Sequence, residues 1–233
     1  LDKELLNILE TYQVEEDKMT EWSPFPGIEK KLLTNTEAKM LDGLGLRGLY
    51  DVRRIKKMAE KEPEKQFPED SRADDNHKNA LKHALLSALL TLRFGIKWAK
   101  QFVIAHEAKP ENRAHREAMD LYNFIKGIRI GKEFSQNQTR ITLKEVANKI
   151  RQEIEDGKLL VINKDGQIAW SNQVSIGDTG SPDSKIIPGN WQVPRGDAKA
   201  YGVVNPLVPR PPLLTPPTKT PKGDKLVFLP ILF

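Results

Sequence analysis

The chain contains no cysteine, and this absence removes several classes of site. A protein without cysteine has no disulfide framework, no thiolate nucleophile and no cysteine zinc site. Its fold must therefore be stabilised by packing alone, in reducing and oxidising surroundings alike. The sequence also lacks an apolar run near the roughly 20 residues that a membrane-spanning helix needs. We therefore predict no transmembrane segment.

A strong excess of charge is also missing, since 37 Lys and Arg against 32 Asp and Glu leave a net charge of +5. Acidic and basic residues alternate along most segments, whereas nucleic-acid-binding proteins usually concentrate positive charge in one patch. Nucleic acid is therefore a disfavoured partner. The G-x-S-x-G, Walker and dinucleotide-binding motifs are absent too, so no common hydrolase or nucleotide-binding signature identifies the chemistry.

What the sequence does contain is a series of apolar segments with helical spacing. The central one, from about Asn76 to Phe94, is apolar on most faces, which is typical of the innermost helix of a bundle. We predict a mainly α-helical fold, a bundle of about six helices with one small β-hairpin near 159–170 and an irregular proline-rich C-terminal segment. Further helices are predicted within 1–22, 37–44, 50–61, 97–106, 113–125 and 142–157.

Local signals set the expected helix ends. Thr142 and Glu145 have the spacing of a capping box, which begins a helix. Gly127 and Gly131 are expected to end the helix over 113–125, because glycine weakens a helix interior. Pro63 and Pro68 are expected to frame a polar linker, since proline is disfavoured inside helices.

A change of composition near residue 173 predicts a domain boundary. We divide the chain into an N-terminal helix and linker (1–33), a helical core domain (34–172) and a proline-rich extended tail (173–233). The tail favours polyproline II geometry, and its PxxP-like spacing around Pro209 to Pro217 is a potential docking strand for a partner.

Polar side chains on three successive apolar helices form the candidate site. His83 lies in the run NALKHALLSALL, and His106 and Glu107 end the next helix. The third helix carries Asp120 and Asn123 on one face, and Asn79 shares a face with His83. Asn79, Asn123 and Arg129 are predicted to position a substrate, while His83, His106, Glu107 and Asp120 are the predicted catalytic residues.

Two kinds of chemistry fit these side chains. One is metal-free acid–base catalysis, with a histidine as base and a carboxylate that fixes its tautomer. The other uses a divalent metal such as Zn²⁺, Mn²⁺ or Fe²⁺, for which imidazole and carboxylate are suitable ligands. Adjacent residues diverge by about 100° around a helix, so His106 and Glu107 are not expected to share one ion. We favour the metal-free alternative and expect His106 to point inward.

A purely structural role is the alternative for the whole cluster, because a histidine on an apolar helix is often a core residue with a hydrogen-bond partner. The two remaining histidines, His77 and His115, lie among charged residues and are predicted to face solvent.

Several of these segments resemble a bacterial helical domain family. The matching residues are Asn79-Ala80-Leu81-Lys82-His83-Ala84, Phe94-Gly95, Ala105-His106-Glu107 and Met119-Asp120-Leu121-Tyr122-Asn123. They correspond to the family pattern N-A-x-[RK]-H-A, F-G, A-H-E and M-D-L-x-N-N-x-x-G-R, and the resemblance covers about residues 34–160. Phe124 replaces the second asparagine of that pattern, and Ile128 separates its glycine from its arginine.

The resemblance implies a context rather than a reaction. The family is found at the C-termini of large secreted and polymorphic-toxin-like proteins. We therefore expect a toxic effector domain that is secreted or delivered into a target cell, with a cognate immunity or delivery protein as partner. The leading hypothesis is a hydrolase that acts on a cell-envelope component. The alternatives are a non-enzymatic interaction or adaptor module with a docking tail and, third, a nuclease toxin.

Overall fold

The computed structural model describes residues 3–70, 74–110, 112–137 and 140–179, and within them the fold is mainly α-helical. Two small antiparallel hairpins accompany the helices of this described part. The helices are α1 (Lys3–Thr11), α2 (Asn35–Asp42), α3 (Gly45–Gln66), α4 (His77–Phe94), α5 (Ile96–Glu107), α6 (Ala114–Asn137) and α7 (Leu143–Glu155). The strands are β1 (Met19–Trp22), β2 (Lys31–Thr34), β3 (Leu160–Ile162) and β4 (Ile168–Trp170).

Helix α4 is the centre of the bundle, as its sequence predicts. It contacts α3, α5, α6 and α7, and Leu85 and Leu89 are fully buried. The Asn76 side chain caps its start by accepting a 2.8 Å hydrogen bond from the Asn79 amide. Gly95 ends it with a φ of 86°, a backbone conformation that favours glycine. The mainly helical fold with α4 at its core is confirmed.

Helix α6 differs from its prediction because it continues past both glycines to Asn137. A Cβ at Gly127 would lie 2.0 Å from the Ala84 carbonyl oxygen, and one at Gly131 would lie 2.7 Å from the Ala88 oxygen. The two glycines therefore let α6 pack directly against the α4 backbone. The expectation that they end the helix was wrong, because close packing outweighs their low helix propensity.

The N-terminal region also differs from its prediction. Helix α1 ends at Thr11, well before residue 22. Its buried residues Leu5 and Ile8 pack in one cluster with side chains of α6, β3 and β4. Strands β1 and β2 follow as an unpredicted hairpin, with Met19 opposite Thr34 and Trp22 opposite Lys31. Helix α2 lies near its predicted position but begins at Asn35, where the Thr34 side chain caps it by accepting from the Glu37 amide.

Helix α3 runs through Pro63 into the segment predicted to be a linker. Pro63 lies in the last turn, where it leaves the Ala59 carbonyl without its helical N–H partner, and the helix ends three residues later. Phe67 follows the helix and is almost fully buried under the Arg151 guanidinium. The segment was predicted to be a linker because most of its residues are charged or polar. Its aromatic residue, Phe67, nevertheless anchors it to the core.

The C-terminal elements of the core follow the sequence signals. The Thr142–Glu145 capping box begins α7, and β3 pairs with β4 in the predicted hairpin. Past β4, Gly177 donates from its amide to Asp70 Oδ1 at 3.0 Å, and Thr179 pairs with Asn163. The division into three segments stays a prediction, and residues 180–233 of the proposed tail lie outside the described residues. No helix in the described ranges combines the length and apolar character required to cross a bilayer.

Candidate functional site

The contact between α4 and α6 brings together three of the predicted site residues. His83 Nδ1 lies 2.7 Å from Asp120 Oδ1, and Asp120 is only partly buried. The oxygen lies away from the direction of the ring N–H, so the contact is electrostatic rather than a straight hydrogen bond. With its amide oriented to satisfy both neighbours, Asn79 donates to Asp120 Oδ1 at 3.2 Å and accepts from Lys82 Nζ at 3.2 Å.

Burial disfavours charge on both members of the His83–Asp120 pair. It raises the pKa of Asp120 to about 7, although the positive charges of Lys82 and Arg116 oppose the change. Burial likewise lowers the pKa of His83 to about 3, and Lys82 adds to that shift. Near neutral pH the imidazole is therefore uncharged, and Asp120 retains a proton in part of the molecules.

Glu107 and His106 occupy different environments although they are neighbours in sequence. Glu107 is the more buried, and its carboxylate accepts a 2.9 Å hydrogen bond from Asn112 Nδ2. Burial raises the pKa of Glu107, and the charge of Asp120 adds to the rise. The His106 side chain remains 27% exposed. His106, predicted to point inward, contacts buried Glu37 and Phe124 but stays partly exposed, while the adjacent Glu107 is the more deeply buried of the two.

His106 forms its own pair with Glu37, a residue that the sequence analysis did not include in the site. The ring Nδ1 lies 3.3 Å from Glu37 Oε1, and Lys56 Nζ lies 3.4 Å from the same oxygen. Burial alone raises the pKa of Glu37, but the His106 hydrogen bond and charge, together with Lys56 and Lys109, lower it to about 2. Glu37 was not included because its place in the first turn of α2, where a carboxylate suits the helix dipole, already explains its presence.

Phe124 separates the two histidine–carboxylate pairs. Its ring stacks on His83 with centroids 4.6 Å apart and planes 7° apart. His106 meets the same ring edge-on, with centroids 6.3 Å apart and planes at 89°. Phe124 is fully buried. The residue that departs from the family pattern therefore contacts both predicted catalytic histidines, where an asparagine would have placed a carboxamide.

Cationic side chains lie around the carboxyl groups of this site. Arg116 Nη2 lies 2.5 Å from Asp75 Oδ2. Asp75 is mostly buried, and burial raises its pKa to about 6 against the attraction of Arg116. Lys82 and Lys109 are half-buried, and both act electrostatically on His83 and Asp120. The site therefore combines carboxyl groups that resist ionisation with three nearby positive charges.

Two predicted positioning residues lie outside this arrangement. The Asn123 carboxamide is fully buried and exchanges two 2.9 Å hydrogen bonds with the backbone of Leu160 in β3. Arg129 is exposed and acts electrostatically on Tyr122 and Lys126. Asn123 joins α6 to the hairpin, and neither side chain adds a group to the His83–Asp120 pair.

The predicted exposure of His77 and His115 was also wrong, since both are almost completely buried. His77 Nε2 lies 2.8 Å from the Ser171 carbonyl oxygen, and its ring packs near Phe67. Charged neighbours in the sequence misled the prediction, because the adjacent residues of a helix point in different directions. His77 has the structural role that a buried histidine with a backbone partner usually has.

The geometry does not assemble the predicted donors around one metal ion. Within the described ranges, no group of three or more His, Asp and Glu side chains is placed to hold a metal. His83 faces Asp120 on α6, while His106 faces Glu37 on α2. Paired imidazoles and carboxylates of this kind can transfer protons without a metal.

The comparison with known protein families gives one match. Residues 46–158 are similar to a family model described as a domain of unknown function (DUF6973). The match spans just under half of the chain and contains His83, His106, Glu107 and Asp120, while Glu37 lies before it. No curated protein matches the chain, and no solved structure matches it.

Proposed function

We propose that the chain is a hydrolase that uses metal-free acid–base catalysis, acting as the toxic effector domain of a secreted bacterial protein on a cell-envelope component. The observation that supports the chemistry is the presence of two histidine–carboxylate pairs with opposite electrostatics on the two sides of Phe124. Burial raises the pKa of Asp120 to about 7, whereas Glu37 is held ionised with a pKa of about 2. Titratable groups with strongly shifted pKa values that lie close together are typical of catalytic sites.

His106 is the proposed general base. Ionised Glu37 can only accept hydrogen bonds, so the Nδ1 atom of His106 must donate to it. That tautomer leaves Nε2 to take a proton from an attacking water, and Glu37 stabilises the imidazolium that results. Glu37 is therefore a positioning residue for His106.

Asp120 is the proposed general acid. Its protonated carboxyl can donate to the leaving group, because a pKa of about 7 leaves the proton available near neutral pH. Neutral His83 and the Asn79 carboxamide hold the carboxyl in place. Glu107 is the remaining predicted catalytic residue, and it lies close enough to Asp120, His83 and His106 to interact with them electrostatically.

The biological context rests on the resemblance to toxin-associated domains and is tested by growth. The full chain would be expressed in bacteria with an export signal to the envelope, beside His106→Ala and Asp120→Asn. We expect the parent chain to arrest growth and both variants to relieve the arrest. Lys144→Gln is the matched control, because its exposed side chain on α7 lies outside the site and its loss should leave toxicity intact. Equal growth with the parent chain and with His106→Ala, at equal expression, would remove the case for catalysis.

A non-enzymatic interaction module is the second candidate. It is favoured by the structural use of polar side chains elsewhere in the core, since Asn123 bonds to Leu160 and His77 bonds to Ser171. In such a module the site would only stabilise the bundle. Variants would then change toxicity in proportion to their loss of folded protein, whereas a catalytic role predicts inactive variants that remain folded. Circular dichroism of each variant distinguishes the two.

A nuclease is the third candidate, and it is disfavoured by the small net charge. Expression without the export signal tests it, because a nuclease would be toxic in the cytoplasm and would degrade plasmid DNA or RNA there. An envelope hydrolase is expected to be toxic only when exported.

A further inference from the structure

The same four-residue motif stands at the start of two helices. It is Thr34-Asn35-Thr36-Glu37 at α2 and Thr142-Leu143-Lys144-Glu145 at α7. In both, the first threonine accepts a hydrogen bond from the backbone amide of the glutamate three residues later. A T-x-x-E sequence of this kind commonly forms a capping box, in which the glutamate carboxylate turns back to the threonine. The two helices therefore show what one motif does in two surroundings.

At α7 the motif forms a closed capping box near the surface. Glu145 Oε2 accepts from the Thr142 amide at 2.8 Å and from the Thr142 hydroxyl at 2.7 Å. A hydroxyl has a single proton to donate, and here it goes to the carboxylate of the same motif. The role of Glu145 is therefore local to its own helix.

At α2 the hydroxyl proton goes to another helix. Thr34 is fully buried, and its hydroxyl donates to the Ala105 carbonyl oxygen at 2.8 Å. Ala105 lies in the last turn of α5, where carbonyl groups have no partner within the helix. One hydroxyl therefore joins the first turn of α2 to the last turn of α5, one residue before His106.

The Glu37 carboxylate forms no capping box and meets other donors. The Thr34 proton is already given to Ala105, so the hydroxyl cannot also donate to Glu37. Glu37 Oε1 lies 3.3 Å from His106 Nδ1 and 3.4 Å from Lys56 Nζ. Among the residues that the structure describes, Glu37 Oε2 is buried without a hydrogen-bond partner. The carboxylate of the motif thus caps its own helix at α7 and contacts a histidine of another helix at α2.

We infer that Thr34 is a positioning residue that directs the Glu37 carboxylate to His106. Its hydroxyl withholds its proton from Glu37 and fixes the two helix ends that carry the pair. The inference rests on the proposed function, in which His106 is the general base. Thr34 and Glu37 both lie before residue 46, so the histidine within the family-matched segment is oriented by residues outside that segment.

Asp17 connects the same two helix ends, which allows the hydroxyl to be removed from a folded chain. The Asp17 amide donates to the Ala108 carbonyl oxygen at 2.7 Å, and its Oδ2 accepts from the Thr36 amide at 2.7 Å. These bonds do not involve Thr34. We therefore expect Thr34→Val, which removes the hydroxyl and keeps the branched shape of the side chain, to fold with α2 against α5.

The tautomer of His106 is the direct test, because a neutral ring donates to Glu37 only when Nδ1 carries the proton. Long-range proton–nitrogen NMR correlation on the full chain, at a pH where the ring is neutral, distinguishes the two tautomers. We expect the parent ring to be protonated on Nδ1 and Thr34→Val to give a mixture. Thr34→Ser keeps the hydroxyl and should restore the parent pattern. In Thr34→Val the pKa of Glu37, about 2 in the parent chain, should also rise toward its ordinary value of 4.5.

Thr142→Val is the matched control, because it removes the hydroxyl of the other T-x-x-E motif. It should lower thermal stability through the lost cap and leave the His106 tautomer unchanged. A parent-like tautomer in Thr34→Val would overturn the inference and leave Thr34 as a helix cap only. An equal tautomer change in Thr142→Val would overturn it too, since the effect would then follow general destabilisation. A parent ring protonated on Nε2 would overturn it without any variant.

The tautomer result and the growth result are independent. A tautomer change in Thr34→Val, in a chain whose parent does not arrest growth, would contradict the proposed function alone. Growth arrest by the parent, with the same tautomer in the parent and in Thr34→Val, would contradict this inference alone.

Discussion

The two histidine–carboxylate pairs on either side of Phe124 contain the same chemical groups but have opposite electrostatics. In the His83–Asp120 pair, burial keeps the imidazole neutral and raises the carboxyl pKa to about 7. In the His106–Glu37 pair, the carboxyl is even more deeply buried, yet its pKa falls to about 2. Depth alone therefore does not decide the protonation state of a buried carboxyl.

The difference arises from the groups that surround each carboxyl. Burial raises the pKa of Glu37, but the hydrogen bond and charge of His106 together with the charges of Lys56 and Lys109 outweigh it. His83 is only 10% exposed and stacks on Phe124, so it offers Asp120 no positive charge. Glu37 is ionised because a hydrogen bond and several positive charges together outweigh its desolvation, whereas at Asp120 desolvation outweighs the positive charges nearby.

The largest expected effect comes from Gly127→Ala. This variant would push apart α4 and α6, the helices that hold the His83–Asp120 pair. The new methyl group would lie 2.0 Å from the Ala84 carbonyl oxygen, and we expect a loss of about 3 kcal/mol in the free energy of unfolding. Urea denaturation measures it, with Gly131→Ala as the milder comparison because its nearest contact is 2.7 Å. The NMR signals of the His83 ring should shift more than those of His106. Equal shifts would show that the pairs are not held independently.

Glu37→Gln tests the ionised pair and should cost about 3 kcal/mol at pH 7. The folded-state pKa of Glu37 is about 2, below its ordinary value of 4.5, so its stabilisation is present above pH 4.5 and lost as the pH falls to about 2. The cost of the variant should therefore disappear in acid. Glu21→Gln, which removes a carboxylate from the exposed ion pair with Lys30, should cost much less. A cost that is constant with pH would contradict an ionised Glu37.

Asp120→Asn tests the other pair, and its effect on the free energy of unfolding should have the opposite sign to that of Glu37→Gln. The folded-state pKa of Asp120 is raised to about 7 from 3.8, so its favourable contribution is complete below pH 3.8 and lost as the pH rises through 7. The carboxamide cannot ionise, and we expect the variant to be more stable than the parent by about 2 kcal/mol at pH 8 and unchanged at pH 3. Thermal denaturation at the two pH values measures it. Destabilisation at pH 8 would mean that the nearby cations hold Asp120 ionised.

Phe124→Leu should have the smallest effect, a loss of about 1.5 kcal/mol from a smaller core side chain. It removes the ring that separates the pairs. His83 loses a stacked neighbour and His106 only an edge contact, so the NMR titration of His83 should change more. A larger change at His106 would contradict the expectation that Phe124 contacts His83 more closely than His106.

The sequence by itself determined the helical architecture and part of the site. The apolar residues on most faces of Asn76–Phe94 could only be buried at the centre of a bundle, and the capping signal at Thr142 placed the start of α7 correctly. Helical periodicity also placed Asn79 and His83 on one face, where both meet Asp120. These features depend on neighbours within a few turns, so local spacing is enough to find them.

Only the tertiary structure decided which carboxylate belongs to which histidine. Glu37 and His106 are 69 residues apart, and no local pattern connects them. The burial of His77, the continuation of α6 through Gly127 and the bonding of Asn123 to Leu160 likewise depend on surfaces from distant segments. Charge state and helix continuity at these positions are set by what packs against them, because desolvation and close contact outweigh local propensity.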